Sequence, residues 1–157
     1  MGALLILTGV ACGGVHGDGV DGDGLPTDPV SYAFIRERPD AGLVFPGSLT
    51  LNQAGDGERA PDQSAFVGGV YHTTAAPNDV VRWYRERLGA ERWQAWDGNV
   101  LIDFQQFAEG FQRGNRERFV VGIDDPKLQQ LKLRVSLPAG GTTFDILYAI
   151  NSSRQPP

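Results

Sequence analysis

Few side chains in this chain of 157 residues can do covalent or acid–base chemistry. It has a single thiol, Cys12, and two imidazoles, His16 and His72. The carboxylates Asp103, Asp124, Asp125 and Asp145 are scattered, and nothing in their spacing forces the acid–base pair that cleaves a glycosidic bond. Ser48 stands in Pro-Gly-Ser-Leu, outside the G-x-S-x-G frame of a nucleophile turn. His72 shares a strand face with Phe66 and Val70, which suits a packed side chain; work as a base would require a carboxylate partner. Gly68-Gly69 falls in mid-strand and Gly140-Gly141 in a hairpin, so neither forms a phosphate-binding loop. Asp18, Asp21 and Asp23 invite a calcium reading. A calcium loop opened at Asp21, however, puts Leu25, Pro26 and Tyr32 where an oxygen ligand, a glycine and a glutamate are required. Cys12 and His16 are too few ligands for a structural metal. The expectation is a non-catalytic domain with no metal and no cofactor.

Cys12 ends a segment that reads as an address. Ala3 to Ala11 form an almost continuous apolar run centred on Leu4, Leu5, Ile6 and Leu7. That is the length of a signal-peptide hydrophobic region and falls short of the roughly 20 residues that span a bilayer. Gly9, Val10 and Ala11 then lead into Cys12, followed by Gly13 and Gly14. This segment resembles the lipobox of bacterial lipoproteins. The resemblance implies that residues 1–11 are removed as a signal peptide, that the Cys12 thiol receives a diacylglyceryl group and that its new amine is acylated. The protein would then be anchored in a membrane of the bacterial cell envelope, facing the periplasm or the exterior. Several acyl chains, at about 0.8 kcal/mol per buried methylene, hold a protein far better than one. An ordinary cleaved signal, and a cytosolic domain with residues 3–11 as a buried strand, stay open as alternatives.

After Cys12 comes GGVHGDGVDGDGLPTD, residues 13–28, whose glycines and aspartates predict a flexible tether spanning about 20–24 Å. Four of the chain's acidic residues, Asp18, Asp21, Asp23 and Asp28, lie in it, leaving 15 acidic against 14 basic side chains from residue 29 onward. A domain so nearly neutral lacks the basic face that nucleic-acid binding requires.

Residues 29–150 must then position whatever the domain presents. The segment 30–38 reads equally as a short helix or an edge strand. Residues 43–52, 65–74, 92–97, 100–107, 118–123, 129–137 and 142–150 read as strands. Asp97-Gly98-Asn99 turns a hairpin, Glu109–Arg116 is a polar loop, and Asp124-Asp125-Pro126 is a turn and helix cap. Pro77 to Leu88 reads as one amphipathic helix, with Val80, Val81, Tyr84 and Leu88 on a single stripe, Arg82, Arg85 and Glu86 opposite, and Gly89 as its cap. The predicted fold is α+β: a mainly antiparallel sheet of about six or seven strands with the helix on one face, in two layers. Residues 151–157 read as a disordered tail.

The aromatics point to an interaction role. Trp93 and Trp96 have opposite parity, so if Trp93 faces the core Trp96 faces out. With Phe107 and Phe111, Trp96 makes a possible contact patch for a protein or small ligand, unless residues 30–38 fold back over it. Residues Tyr71–Trp93, with Tyr71-x-Thr73-Thr74, Val80-x-x-Trp83-Tyr84 and Leu88-Gly89-x-x-x-Trp93, preceded by Phe45-Pro46-Gly47-Ser48, also resemble small exported bacterial domains of unknown function.

Overall fold

The computed structural model describes residues 19–27, 29–59, 63–96 and 105–152. The run 1–11, Cys12, the linker through Asp18, Asp28, the Asp97-Gly98-Asn99 turn, Asp103 and the tail from Ser153 lie outside the described residues.

Strands β1 (Leu49–Asp56), β2 (Ala65–Thr73), β3 (Gln94–Trp96), β4 (Gln105–Arg113), β5 (Glu117–Asp124) and β6 (Thr142–Ile150) form one sheet in the order β1-β2-β6-β5-β4-β3, antiparallel throughout. The last strand is thus inserted at the centre. Its alternation explains why: Phe144, Ile146, Tyr148 and Ile150 form an apolar row on one face, buried between Tyr71 of β2 and Phe119 and Val121 of β5. Over this face lie α1 (Tyr32–Arg36), a single 3-10 turn (Pro39–Gly42) and α2 (Pro77–Ala90), which carries the chain from β2 across to the β3 edge. The arrangement is the two-layer α+β fold that the alternation predicts.

Helix α2 starts at Pro77, with Asp79 in its first turn, and buries Val80, Val81, Tyr84 and Leu88 as their spacing requires. It runs through Gly89 to end at Ala90, one turn's fraction past the expected glycine cap. Tyr84 packs on Phe119 at 5.8 Å between ring centroids, and Trp93 on Phe119 and Tyr148 at 6.0 and 6.1 Å. The Tyr84 hydroxyl also accepts from Phe45 N–H at 3.1 Å, tying the loop before β1 to the helix.

Three expectations are corrected. Residues 129–137 are not a strand. Asp125 caps a helix, α3 (Pro126–Leu133), by accepting from Lys127 N–H at 2.8 Å, and Pro126 begins it. This start overrides the period-2 pattern that follows, and the helix closes at Arg134 in the left-handed region. Glu109–Arg116 is no loop either. Its residues through Arg113 belong to β4, because Glu109 and Arg113 meet ionic partners on neighbouring elements, so their polarity does not exclude them from a sheet.

The third correction concerns residues 19–27 of the expected 13–28 tether. Residues 19–27 fold into a small loop closed by a Val20–Pro26 bridge and by Thr27 N–H donating to Gly19 carbonyl at 2.8 Å. Asp21 accepts from Asp23 and Leu25 N–H at 2.9 Å each, and Arg116 Nη1 donates to its other oxygen at 2.6 Å. Burial would raise the Asp21 carboxyl, but the Arg116 hydrogen bond and those two N–H groups outweigh it and hold the value below the ordinary one. Leu25 is fully buried in the core. At the β4–β5 turn Gly114 adopts φ +58, and a Cβ there would strike the Asp23 carboxylate, which accepts from Asn115 N–H at 3.0 Å.

Next to Arg116, Glu117 holds the interior together. Arg113 donates to both its oxygens at 2.7 Å, Arg38 reaches Oε1 at 3.2 Å, and the buried Tyr148 hydroxyl donates to Oε1 at 2.5 Å. Arg113 also donates to Asp40 Oδ2 at 2.7 Å, and its guanidinium lies 4.6 Å from the Trp93 ring centroid. Burial alone would raise the Glu117 carboxyl; the hydrogen bonds from Arg113 and Tyr148 and the arginine charges reverse this and hold it below its ordinary value of 4.5. The unfolded chain therefore takes up this proton first as the pH falls. Glu117's contribution to stability is complete above its unfolded value and is lost as the pH drops through its folded one. Urea unfolding followed from about pH 7 to about pH 3 is expected to show that loss. In Glu117→Gln that component of the pH dependence should vanish, with ~3–5 kcal/mol lost at neutral pH because two arginines lose their shared anion. An unchanged pH profile in the variant would refute the assignment.

Candidate functional site

From Phe107 to Arg113 the β4 residues of odd number point to the helix side of the sheet. Arg113 and Phe111 reach the core, Glu109 meets α2, and Phe107 comes last, where the first turn of α2 leaves the sheet incompletely covered. There a groove of about 680 Å³ is lined by Pro77, Asn78, Val81, Arg82, Arg85, Phe107 and Ile123. Its size is that of a small-molecule site, commonly some 300–1,000 Å³. Val81 and Ile123 are nearly buried and form the floor, whereas Phe107 is 45% exposed.

The rim is ionic. Arg82 Nη2 pairs with Asp79 at 2.5 Å, and Arg85 Nε donates to both oxygens of Glu109 at 2.7 and 2.9 Å. Each guanidinium is thereby oriented over the groove while keeping further N–H groups to offer. The lining combines an aromatic and aliphatic surface with guanidinium and amide donors. It can receive a flat apolar body and hydrogen-bond an oxygen-bearing group at its edge.

Of the aromatic residues expected to form a patch, the structure brings none of the three together. Ala95 is opposite Phe111 and Trp96 opposite Gly110, so the pleat sends Trp96 and Phe111 to different faces. Phe111 is 5% exposed, within the core. Trp96 is half-buried on the far face, with the Arg118 guanidinium 5.1 Å from its ring centroid. Phe107 alone keeps an exposed surface, and its neighbours there are those of the groove. Residues 30–38 cover none of the three as a lid: α1 packs near β1 and β2, and a Cβ on Gly55 would strike the Tyr32 ring. The expected opposition of Trp93 and Trp96 is observed, Trp93 being core-facing.

The far face gathers the polar groups that could do acid–base chemistry. His72 is paired in register with Thr143, and its Nδ1 lies 3.2 Å from Thr143 Oγ1. Asp145, the partner of Val70, stands one row along the same face. Asp124 follows Ile123, the partner of Phe144, and so continues the Thr143 row on β5. His72 is 5% exposed, and among the described residues its Nε2 meets no hydrogen-bond partner; the same holds for Oε1 of Gln129 on α3. Among the described residues no group of three or more His, Cys, Asp or Glu is placed to hold a metal ion.

The groove residues Asn78, Arg82, Arg85 and Ile123 escape the sequence reading, which puts both arginines on the solvent side of α2. The available signal is positional: residues 78, 82 and 85 form one helical edge beside the buried stripe, the edge that faces a sheet margin.

The different surroundings of the two phenylalanines give a direct test. Phe111→Ala is expected to cost ~3–5 kcal/mol in urea unfolding, as for a buried aromatic, and Phe107→Ala about 1 kcal/mol. Equal costs would mean that Phe107 is a core residue and the groove is not open. No protein-family model, no curated protein and no solved structure matches this chain, so the reading of its site rests on its own residues.

Proposed function

We propose that the chain is a membrane-anchored bacterial cell-envelope lipoprotein, held by lipid on Cys12 and carrying a non-catalytic interaction module. The observation that carries this reading is the apolar run Ala3–Ala11, with Gly9, Val10 and Ala11 leading into the chain's one cysteine. Its length matches a signal hydrophobic region. The attachment this reading supplies is an acyl anchor at Cys12.

Intact mass and detergent partition of the native full chain, beside Cys12→Ser, test it. The expected native product lacks residues 1–11, carries the mass of a diacylglyceryl group with or without a further acyl chain, and enters the detergent phase. Cys12→Ser should stay in the aqueous phase. An unmodified thiol in a soluble native product that retains residues 1–11 overturns the proposal.

A second reading, an exported small-ligand-binding domain with a pocket between helix and sheet, is favoured by the groove over Phe107 and Ile123. Its ligand would be an apolar body bearing an oxygen anion. The fluorescent probe anilinonaphthalene sulfonate should bind the folded domain at one site, and Phe107→Ala or Arg82→Ala should weaken it severalfold. Binding unaffected by both changes refutes this assignment.

A further inference from the structure

We infer that on the anchored protein the β4–β5 turn faces the membrane and the α2–β4–β5 groove opens away from it, so that whatever binds there arrives from the aqueous phase. The inference rests on the Cys12 attachment proposed above and adds an orientation to it.

The argument is one of reach. Gly19 is bound to Thr27, and the loop they close is fixed to the β4–β5 turn through Asp21 on Arg116, Asp23 on Asn115 N–H, and the buried Leu25. Seven peptide units separate Cys12 from Gly19. Whatever their conformation, they extend no more than about 25 Å, and a glycine-rich chain of that length averages about 13–16 Å.

The groove lies at the other end of the sheet. From Gly114 back to Phe107 is seven residues of chain along β4, about 24 Å at a strand's rise. Ile123 is opposite Phe107 in register, and the first turn of α2 with Pro77 and Asn78 stands over the same end. Turning the groove down onto the bilayer would lift Gly19 by the length of the sheet, which demands a nearly fully extended connection. A leash of average length sets the turn against the headgroups instead. Had the tether continued to residue 28, no such constraint would exist; the docking of residues 19–27 creates it.

Single introduced cysteines can report the orientation, since Cys12 is the one native thiol and its sulfur is consumed by the lipid. The lipid-modified full chain, carrying Asn115→Cys or Asn78→Cys with a donor dye, would be reconstituted into phosphatidylcholine vesicles that bear an acceptor on their headgroups. Both side chains are exposed, so the fold should tolerate either change. Gly22→Cys and Ala139→Cys, exposed residues at the same two ends, serve as a second pair. Energy transfer is expected to be at least twofold stronger from 115 than from 78, and from 22 than from 139. A twenty-residue glycine–serine insertion between Asp18 and Gly19 should abolish the difference. Equal transfer from both ends of vesicle-bound, lipid-modified protein, or stronger transfer from 78 or 139, overturns the orientation while leaving the anchor standing. A chain that carries no lipid and stays off the vesicles overturns the anchor itself.

Discussion

A carboxylate buried in the interior has to be surrounded by donors, and the arrangement around Glu117 shows how much structure that demand fixes. Its donors come from three directions: Arg38 ahead of the 3-10 turn, Arg113 at the end of β4, and Tyr148 on the central strand β6. Removing its water is compensated only if all three elements are in place. The ion cluster therefore acts as a registration device. Arg113 can reach Glu117 only if β4 keeps its pairing with β5, and that pairing decides that Phe111 is buried and Phe107 stands at the groove. The Arg113 Nη2 that donates to Glu117 also donates to Asp40, which is itself nearly buried, so the 3-10 turn is drawn onto the same end of the sheet.

The groove follows from the topology. A helix that must cross from β2 to the far edge, over β6 and β5, lies obliquely on the sheet. Its buried stripe is deepest where Leu88 and Tyr84 meet Phe119, Tyr148 and Trp93, five rings and aliphatic groups that fill the space between the layers. Toward Pro77 a groove opens between the first turns of α2 and the sheet, lined among the described residues by Pro77, Asn78, Val81, Phe107 and Ile123. The Arg85–Glu109 pair stands at its edge, with the nearly buried Ile123 as floor and the exposed ring of Phe107 beside it.

Most of the fold can be read from the chain because its periods are clean. The row Phe144, Ile146, Tyr148 and Ile150 is unambiguous, as is the stripe Val80, Val81, Tyr84 and Leu88, and both are buried as their spacing dictates. What the reading missed follows one physical rule. Polarity in a sequence suggests solvent exposure, whereas Glu109, Arg113, Glu117 and Asp21 are polar groups satisfied by partners on other elements. Asp21 and Arg116 are 95 residues apart, and no local pattern announces their meeting. The glycines of the 13–28 segment misled in the same way: Asp21 and Gly24 build a hydrogen-bonded turn that delivers Leu25 to the core. The aromatic patch failed for a different reason. Alternation sets Trp93 and Trp96 on opposite faces, but the register of β3 against β4, which separates Trp96 from Phe111, depends on a pairing that sequence alone leaves free.

Arg116 and Glu117 are consecutive, and they face opposite tasks. Arg116 gathers the N-terminal loop, donating to Asp21, to Pro26 carbonyl and, from Nε, to Asn151 carbonyl at 2.7 Å; Glu117 gathers the interior. A pull delivered through residue 19 therefore enters the sheet at the turn between β4 and β5, next to the end of β6, and is shared among several charge-assisted hydrogen bonds. It does not peel an edge strand, where ladder bonds would break one at a time. Edge strand β1 carries exposed residues along most of its length and has no part in the attachment. The Asp21–Arg116 pair, its guanidinium almost wholly buried, is what fastens a glycine-rich segment to the turn between β4 and β5.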